Sequence, residues 1–304
     1  SDCKLTILGC GSAKPTMTNS PSGQILDLCD KSFMIDCGEG VQITMQRLGT
    51  RTARLYNIFI SHLHGDHCFG LVGMLSTFGM LGRTMPLHIY APTDMEPLLA
   101  LEKQLFLQGL TYEVVFHGVD TKTQKVVYED RSLTVETLPL HHRVPCCGYL
   151  FREKPTLPHI RRDMIDYLNI PFSQINNIKN GADWTTEDGK TISNNRLVLT
   201  ADAPRSYAYC SDTCYLPKLH ERIKGVNLLY HESTYASDYP ERAKKFFHST
   251  SQQAAQVARD AGAGQLLLGH YSARYDNEQQ LLEEARQIFP NSFLTDEGAV
   301  FDVK

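Results

Sequence analysis

The chain lacks any apolar run near the roughly 20 residues that span a bilayer. Its opening, Ser1-Asp2-Cys3-Lys4, does not read as a signal peptide, and Leu5–Leu8 behind it is only strand length. It has no Cys-x-x-Cys pair, so a structural zinc ribbon is not expected. Nine cysteines lie scattered without a repeated spacing; reduced, mostly buried thiols and a cytoplasmic location are the expectation. There is one tryptophan, Trp184, and no excess charge of either sign. A formal net charge of −4 argues against indiscriminate nucleic-acid binding, though not against a local basic surface. What remains is an ordinary soluble composition: 304 residues, 42% hydrophobic and 21% charged.

The most informative stretch is His62-Leu63-His64-Gly65-Asp66-His67. Tyr56–Ile60 before it is apolar and β-prone, and reads as a buried strand. His62 and His64 are two apart, so on an extended backbone they point the same way. Gly65 lets the chain turn and supplies Asp66 and His67 from that turn. One strand end thus offers ligands to two metal positions, with side chains that transition metals prefer.

Strands are expected at Lys4–Leu8, Gly23–Leu28, Ser32–Asp36 and Leu87–Tyr90, with Glu113–Phe116, Lys125–Tyr128 and Leu133–Leu138 as an antiparallel group. Helices are expected from Gly38 to Arg47, over Phe69–Leu81, and over Asp94–Leu107 with Leu98, Leu101 and Leu105 on one apolar face. Pro155–Pro204 breaks the pattern with Pro, Asn, Asp and Gly clusters. It reads as an inserted arm with a short helix at Arg162–Leu168. Strands return at Ser206–Cys210, Val226–Tyr230, Gln265–Leu268 and Ala299–Val303. Helices are expected over Tyr215–Ile223, Pro240–Phe247, Ser251–Ala261 and Glu278–Ile288. Two sheets packed face to face with helices outside satisfy this order. Three more ligand-type groups close apolar strands downstream: His141-His142, Asp212 and His270. Strand ends that gather at one sheet edge would bring them to the first cluster.

With these residues in view, the chain resembles the metallo-β-lactamase superfamily, and within it the ribonuclease Z family. The carrying motifs are Asp36-Cys37-Gly38-Glu39, Ser61–His67, His231-Glu232-Ser233-Thr234, His248-Ser249-Thr250 and Ser272-Ala273-Arg274-Tyr275. The resemblance implies an αβ/βα sandwich of two mixed sheets flanked by helices. It implies one metallo-hydrolase domain over 1–304, with a substrate-binding arm at about 152–204. It implies two Zn²⁺ ions per subunit: His62, His64 and His142 on one, Asp66, His67 and His270 on the other, and Asp212 bridging. His142 is chosen because it precedes Gly148-Tyr149 by six residues; His141 faces away on an extended chain.

The activity implied is endonucleolytic removal of 3′ trailers from precursor tRNA by metal-hydroxide attack on a phosphodiester, leaving a tRNA 3′-hydroxyl. Asp66 would orient or deprotonate the water, and His248 would protonate the leaving 3′ oxygen with Glu232 as its charge partner. Ser249 or Thr250 would cap the helix after His248, with Gln252 or Gln253 answering. The alternative is a phosphodiesterase or lactone or thioester hydrolase acting on a small substrate, since a fold does not fix its substrate. A homodimer is implied too, and no membrane partner. Residues 152–204 carry seven Lys and Arg and seven acids, so the arm has no net charge. The loop Pro15–Ser20 is uncharged after Lys14, where the family often has a basic stretch. Arg242, Lys244 and Lys245 offer either a phosphate contact or a solvated helix face.

Overall fold

The structure, a computed structural model, describes residues 2–304. The first half opens with β1 (Lys4–Gly9), β2 (Gly23–Leu28) and β3 (Lys31–Cys37), an antiparallel meander. Cys29 and Asp30, the two residues joining β2 to β3, both have positive φ (52° and 61°), which a tight hairpin matched to strand twist requires. The chain then runs through α1 (Val41–Leu48), β4 (Leu55–Phe59), α2 (Gly65–Cys68), α3 (Leu71–Met80), β5 (Leu87–Pro92), α4 (Met95–Phe106) and β6 (Val114–Val119). Strands β3 to β6 are parallel, as helical crossovers demand.

The second half contains β7 (Val126–Glu129), β8 (Leu133–Pro139) and β9 (Cys147–Glu153). After the arm come β14 (Ser206–Cys210), α7 (Leu219–Arg222), β15 (Leu228–Glu232), α8 (Pro240–Lys245), α9 (Ser251–Ala261), β16 (Gln265–Gly269), α10 (Gln279–Ile288), β17 (Ser292–Leu294) and β18 (Val300–Asp302). The first sheet has the order β18-β1-β2-β3-β4-β5-β6 and the second β17-β16-β15-β14-β9-β8-β7. Both are mixed, and together with their helices they make the αβ/βα sandwich.

The interior has two layers. Between the sheets lie Phe33, Phe59, Tyr149, Phe151 and Tyr207, all buried. Phe59 stacks on Tyr90 at 4.6 Å and meets Tyr149 and Phe151 edge-on at 5.1 and 5.5 Å. Outside the first sheet, Met34, Ile58 and Ile89 meet Met74, Leu75 and Leu99 from α3 and α4. Nine free cysteines and no disulfide are found among the described residues.

The arm forms its own compact unit, Glu153–Pro204. It comprises β10 (His159–Ile160) paired with β13 (Val198–Leu199), β11 (Trp184–Thr185) paired with β12 (Thr191–Ile192), and helices α5 (Arg162–Tyr167) and α6 (Ile175–Lys179). Ile165, Ile170, Ile178, Ile192 and Leu197 give it a small core, with Trp184 packed against it.

Some expectations are corrected. The 113–116 segment becomes β6, which pairs parallel with β5 in the first sheet, not with the antiparallel β7 and β8. Alternation marks a strand but not the sheet that receives it. Leu98, Leu101 and Leu105 face outward, 46 to 59% exposed, while Met95 and Leu99 are the buried anchors of α4. Helix α7 is shorter than the 215–223 expectation, and β9 and β17 were not anticipated. Because Phe59 is fully buried among four aromatic rings, Phe59→Ala is expected to destabilise the fold by about 3–5 kcal/mol, read from denaturant unfolding.

Candidate metal centre

The strands deliver the polar side chains to one edge. Just past β4, His62 and His64 lie on extended chain; His64 precedes α2, which carries Asp66 and His67. His142 follows β8, Asp212 follows β14, Glu232 ends β15, and His270 follows β16. These donors gather into two groups. His62, His64, His142 and Asp212 bring ligand atoms within 4.8 Å of one another, as do Asp66, His67, Asp212 and His270. Asp212 belongs to both.

The spacing and chemistry fit divalent cations. Ligands about 2.0–2.1 Å from a tetrahedral ion stand about 3.3 Å apart. Here Asp212 Oδ2 lies 3.3 Å from His62 Nε2 and 3.4 Å from His142 Nε2. Asp212 Oδ1 lies 3.2 Å from His67 Nε2 and 3.1 Å from His270 Nε2. Asp66 Oδ2 is 3.3 and 3.2 Å from the same two nitrogens. Despite this crowding, His62 Nε2 and Asp212 Oδ1 are buried without a hydrogen-bond partner. Buried polar atoms left unpaired are costly, and a cation in each group would remove the cost.

Surrounding groups set the imidazoles' tautomers. His142 Nδ1–H donates to the Phe247 carbonyl at 3.0 Å, leaving the Nε2 lone pair facing Asp212. Phe247 is in the left-handed region, φ 58°, and so is His270, φ 60°. Such backbone is strained for non-glycine residues and held by its surroundings. His67 Nδ1–H donates to Asp36 Oδ2 at 2.6 Å. Ser61 Oγ meets His62 Nδ1 at 2.8 Å, and Thr234 Oγ1 meets His270 Nδ1 at 3.0 Å.

Electrostatics follow burial and neighbours. Burial pushes His62, His64 and His142 below their ordinary value, His142 to about 4, keeping their lone pairs free for a cation. Burial works against ionising Asp66 and Asp212, yet the imidazoles around them hold both carboxyls well below the usual range.

Beside the cluster, His248 Nδ1 lies 2.7 Å from Glu232 Oε1. Glu232 also accepts from the Thr213 amide at 2.9 Å and the Thr234 hydroxyl at 2.5 Å. Burial works against a charged His248, but the Glu232 carboxylate outweighs it and pushes the imidazole up to about 9. Two residues on, Thr250 accepts from the Gln253 amide and Gln253 answers the Thr250 amide, a capping box that anchors α9. The His248 ring lies 5.2 Å from His142 and 5.4 Å from His270. It lines a cavity of about 570 Å³ with His64, Asp66, Lys14, Arg143 and Arg242. Lys244 and Lys245 do not line it. His141 stays outside the cluster: its ring is exposed and stacks on Phe247 at 5.3 Å.

Asp36, in the Asp36-Cys37-Gly38-Glu39 motif, gains its role only from the fold. It is fully buried and accepts from the Ser61 amide (2.8 Å) and hydroxyl (2.9 Å), His67 (2.6 Å) and the Tyr209 hydroxyl (2.6 Å). An acid closing an apolar strand, in Phe33-Met34-Ile35-Asp36, was the available signal. Thr234, shared by Glu232, His248 and His270, left none beyond its motif.

Paired histidine–carboxylate clusters at the edge of two facing sheets define a metal-dependent hydrolase of the metallo-β-lactamase fold. The metallo-β-lactamase fold protein YhfI from Bacillus subtilis superposes with a TM-score of 0.69 at 20% identity, covering 99% of this chain and all of that one. Human tRNase Z, short form, does so with 0.72 at 24% identity and 99% of both chains. The chain belongs to the ribonuclease Z family: it is 52% identical to ribonuclease Z of Bacteroides fragilis (strain YCH46) over 97% of both sequences. Residues 3–155 also match the family described as Anti-Pycsar protein Apyc1. That half carries His62 to His142, whereas the ribonuclease Z match extends over Asp212, His248 and His270 as well.

Replacing Asp36 with Asn removes the charge that orients His67. Asp36→Asn is expected to weaken metal retention by about 10- to 100-fold, measured by competition with a chelator.

Proposed function

We propose that the protein is an endoribonuclease that removes 3′ trailers from precursor tRNA, leaving a 3′-hydroxyl, at a centre holding two Zn²⁺ ions per subunit. The residues proposed to hold them are His62, His64 and His142 on one side, Asp66, His67 and His270 on the other, with Asp212 between. Bound there, the cations would supply a water acidic enough to attack phosphorus near neutral pH and positive charge for a phosphate oxygen. Asp66 orients that water; its Oδ2 also accepts from the Ala13 amide at 3.1 Å, which limits its rotation.

The observation that carries the reading is the Glu232–His248 contact at the edge of the same cavity. With Nδ1 held by Glu232, His248 has its Nε2 proton left for the departing 3′ oxygen. Phosphodiester cleavage needs such a donor, because an alkoxide is a poor leaving group. Arg143, Arg242 and Lys14 around the cavity suit a polyanion. The arm is the proposed grip on the body of the RNA, through Arg161 and Arg162; the rest of 152–204 is net acidic, with five Lys and Arg against seven acids.

Cleavage of a precursor tRNA with the product end mapped, beside a small phosphodiester, tests this reading; turnover of the diester alone would favour the small-substrate alternative. His248→Ala is expected to lower precursor cleavage by about 10²–10⁴-fold with metal content, read by elemental analysis, unchanged. His248 is protonated below about 9 in the intact pair. Glu232→Gln removes the raising charge, so the alkaline fall in kcat/KM is expected at lower pH than in the parent enzyme.

A homodimer is the proposed assembly, and a cytoplasmic location fits nine free cysteines. Supporting the dimer, α4 exposes Leu98, Leu101, Leu105 and Phe106, and the end of α3 exposes Met80 and Leu81, 46 to 80% each. Apolar groups this dense on a surface mark an interface. Leu101→Glu with Leu105→Glu is expected to shift the protein from dimer to monomer in sedimentation; a parent enzyme already monomeric there would refute the assembly.

A further inference from the structure

A second cavity, of about 560 Å³, lies on the outer face of the first sheet. It sits at the opposite end of β4 from His62, about 20 Å of extended chain away. Its floor is the register row Val300–Thr6–Ile25 across β18, β1 and β2. Its wall is the end of α1 at Leu48 and the loop Thr50–Arg54. The size falls in the range of small-molecule sites.

Three features of its lining select a ligand. Arg51 and Arg54 come from one short loop, and among the described residues neither forms an ion pair with a carboxylate. Two free guanidiniums beside the Thr50 hydroxyl match a phosphate dianion. Leu48 and Val300, each about half exposed, give an apolar surface for a flat ring. Asp27 lies in the same cleft; Ser32 Oγ donates to its Oδ1 at 2.6 Å, and Oδ2 stays available to accept from a sugar hydroxyl or an exocyclic amine. Phosphate, apolar ring and hydrogen-bond donors in one small molecule describe a nucleoside monophosphate. We propose that this cleft is a nucleoside monophosphate site, separate from the metal centre.

Calorimetric titration of the metal-loaded enzyme with 5′-AMP and 5′-UMP tests it. Arg51→Ala with Arg54→Ala is expected to weaken binding by about tenfold or more, the loss of charge-assisted hydrogen bonds, with precursor cleavage unchanged. Val300→Trp, which fills the cleft and keeps both arginines, is expected to weaken it similarly, so the reading does not rest on one variant's folding. Adenosine and inorganic phosphate are each expected to bind at least about tenfold more weakly than 5′-AMP, since each makes half the contacts. The site is refuted if neither nucleotide binds, or if both variants bind them like the parent enzyme. It is refuted too if inorganic phosphate binds as tightly as 5′-AMP, which marks an anion patch without a nucleoside pocket.

Discussion

One buried carboxylate holds the arrangement together. Asp36, at the end of β3, carries charge in a place with no access to water, and a lone charge there would be prohibitively unstable. Four donors solve the problem, and each does structural work. Ser61 fixes the chain as it leaves β4 toward the histidine run. His67 is locked with its Nδ1 protonated and its Nε2 turned to the cluster. Tyr209 reaches across from β14, so the same carboxylate ties the second sheet to the first. Truncating one partner of such a buried set leaves the others unpaired, which is why the interaction resists change.

The cluster also concentrates carboxylates and imidazoles whose donor atoms lie close enough to hold a cation. Asp66 and Asp212 face imidazole nitrogens: at His142 the other ring nitrogen donates to a carbonyl and leaves a lone pair inward, whereas the carboxylates around His67 push its imidazole up against burial. The backbone bears part of the cost: Asp36, Phe247 and His270 all sit at positive φ. Strain at a ligand-bearing residue and at its neighbour's supporting carbonyl is tolerable because the sheets on either side are densely packed. Glu232 and His248 stand just beyond, close enough to share Thr234 with His270. The Glu232–His248 pair and the donor cluster are thus parts of one hydrogen-bonded unit.

Much of the fold was legible because burial imposes simple periods. The Ser251–Ala261 helix was readable from its local alanine face, while its cap stood open between Ser249 and Thr250 until the structure gave Thr250 with Gln253. The Glu232–His248 pair was expected by residue from the motifs that carry the resemblance, but its 2.7 Å contact depends on the turn and helix α8 between them folding back. Elsewhere the local signal misled. The leucine stripe of α4 has the period of a buried face, yet Met95 and Leu99 are the residues turned inward. β6 alternates like its neighbours in sequence but joins the other sheet. Strand type depends on local residues; strand partner depends on the rest of the chain.

The sequence by itself determined that a strand ends in His62, His64, Asp66 and His67, and that further His and Asp residues close later apolar strands. Periodicity and turn chemistry are local, and six residues suffice to state them. The resemblance already implied a shared Asp212 and His142 in place of His141; the tertiary structure alone decided that His141 stacks on Phe247 and that Asp36 ties Ser61, His67 and Tyr209 together. Those facts depend on strands 20 to 200 residues apart meeting at one edge. Only packing two sheets around a shared aromatic core brings them there.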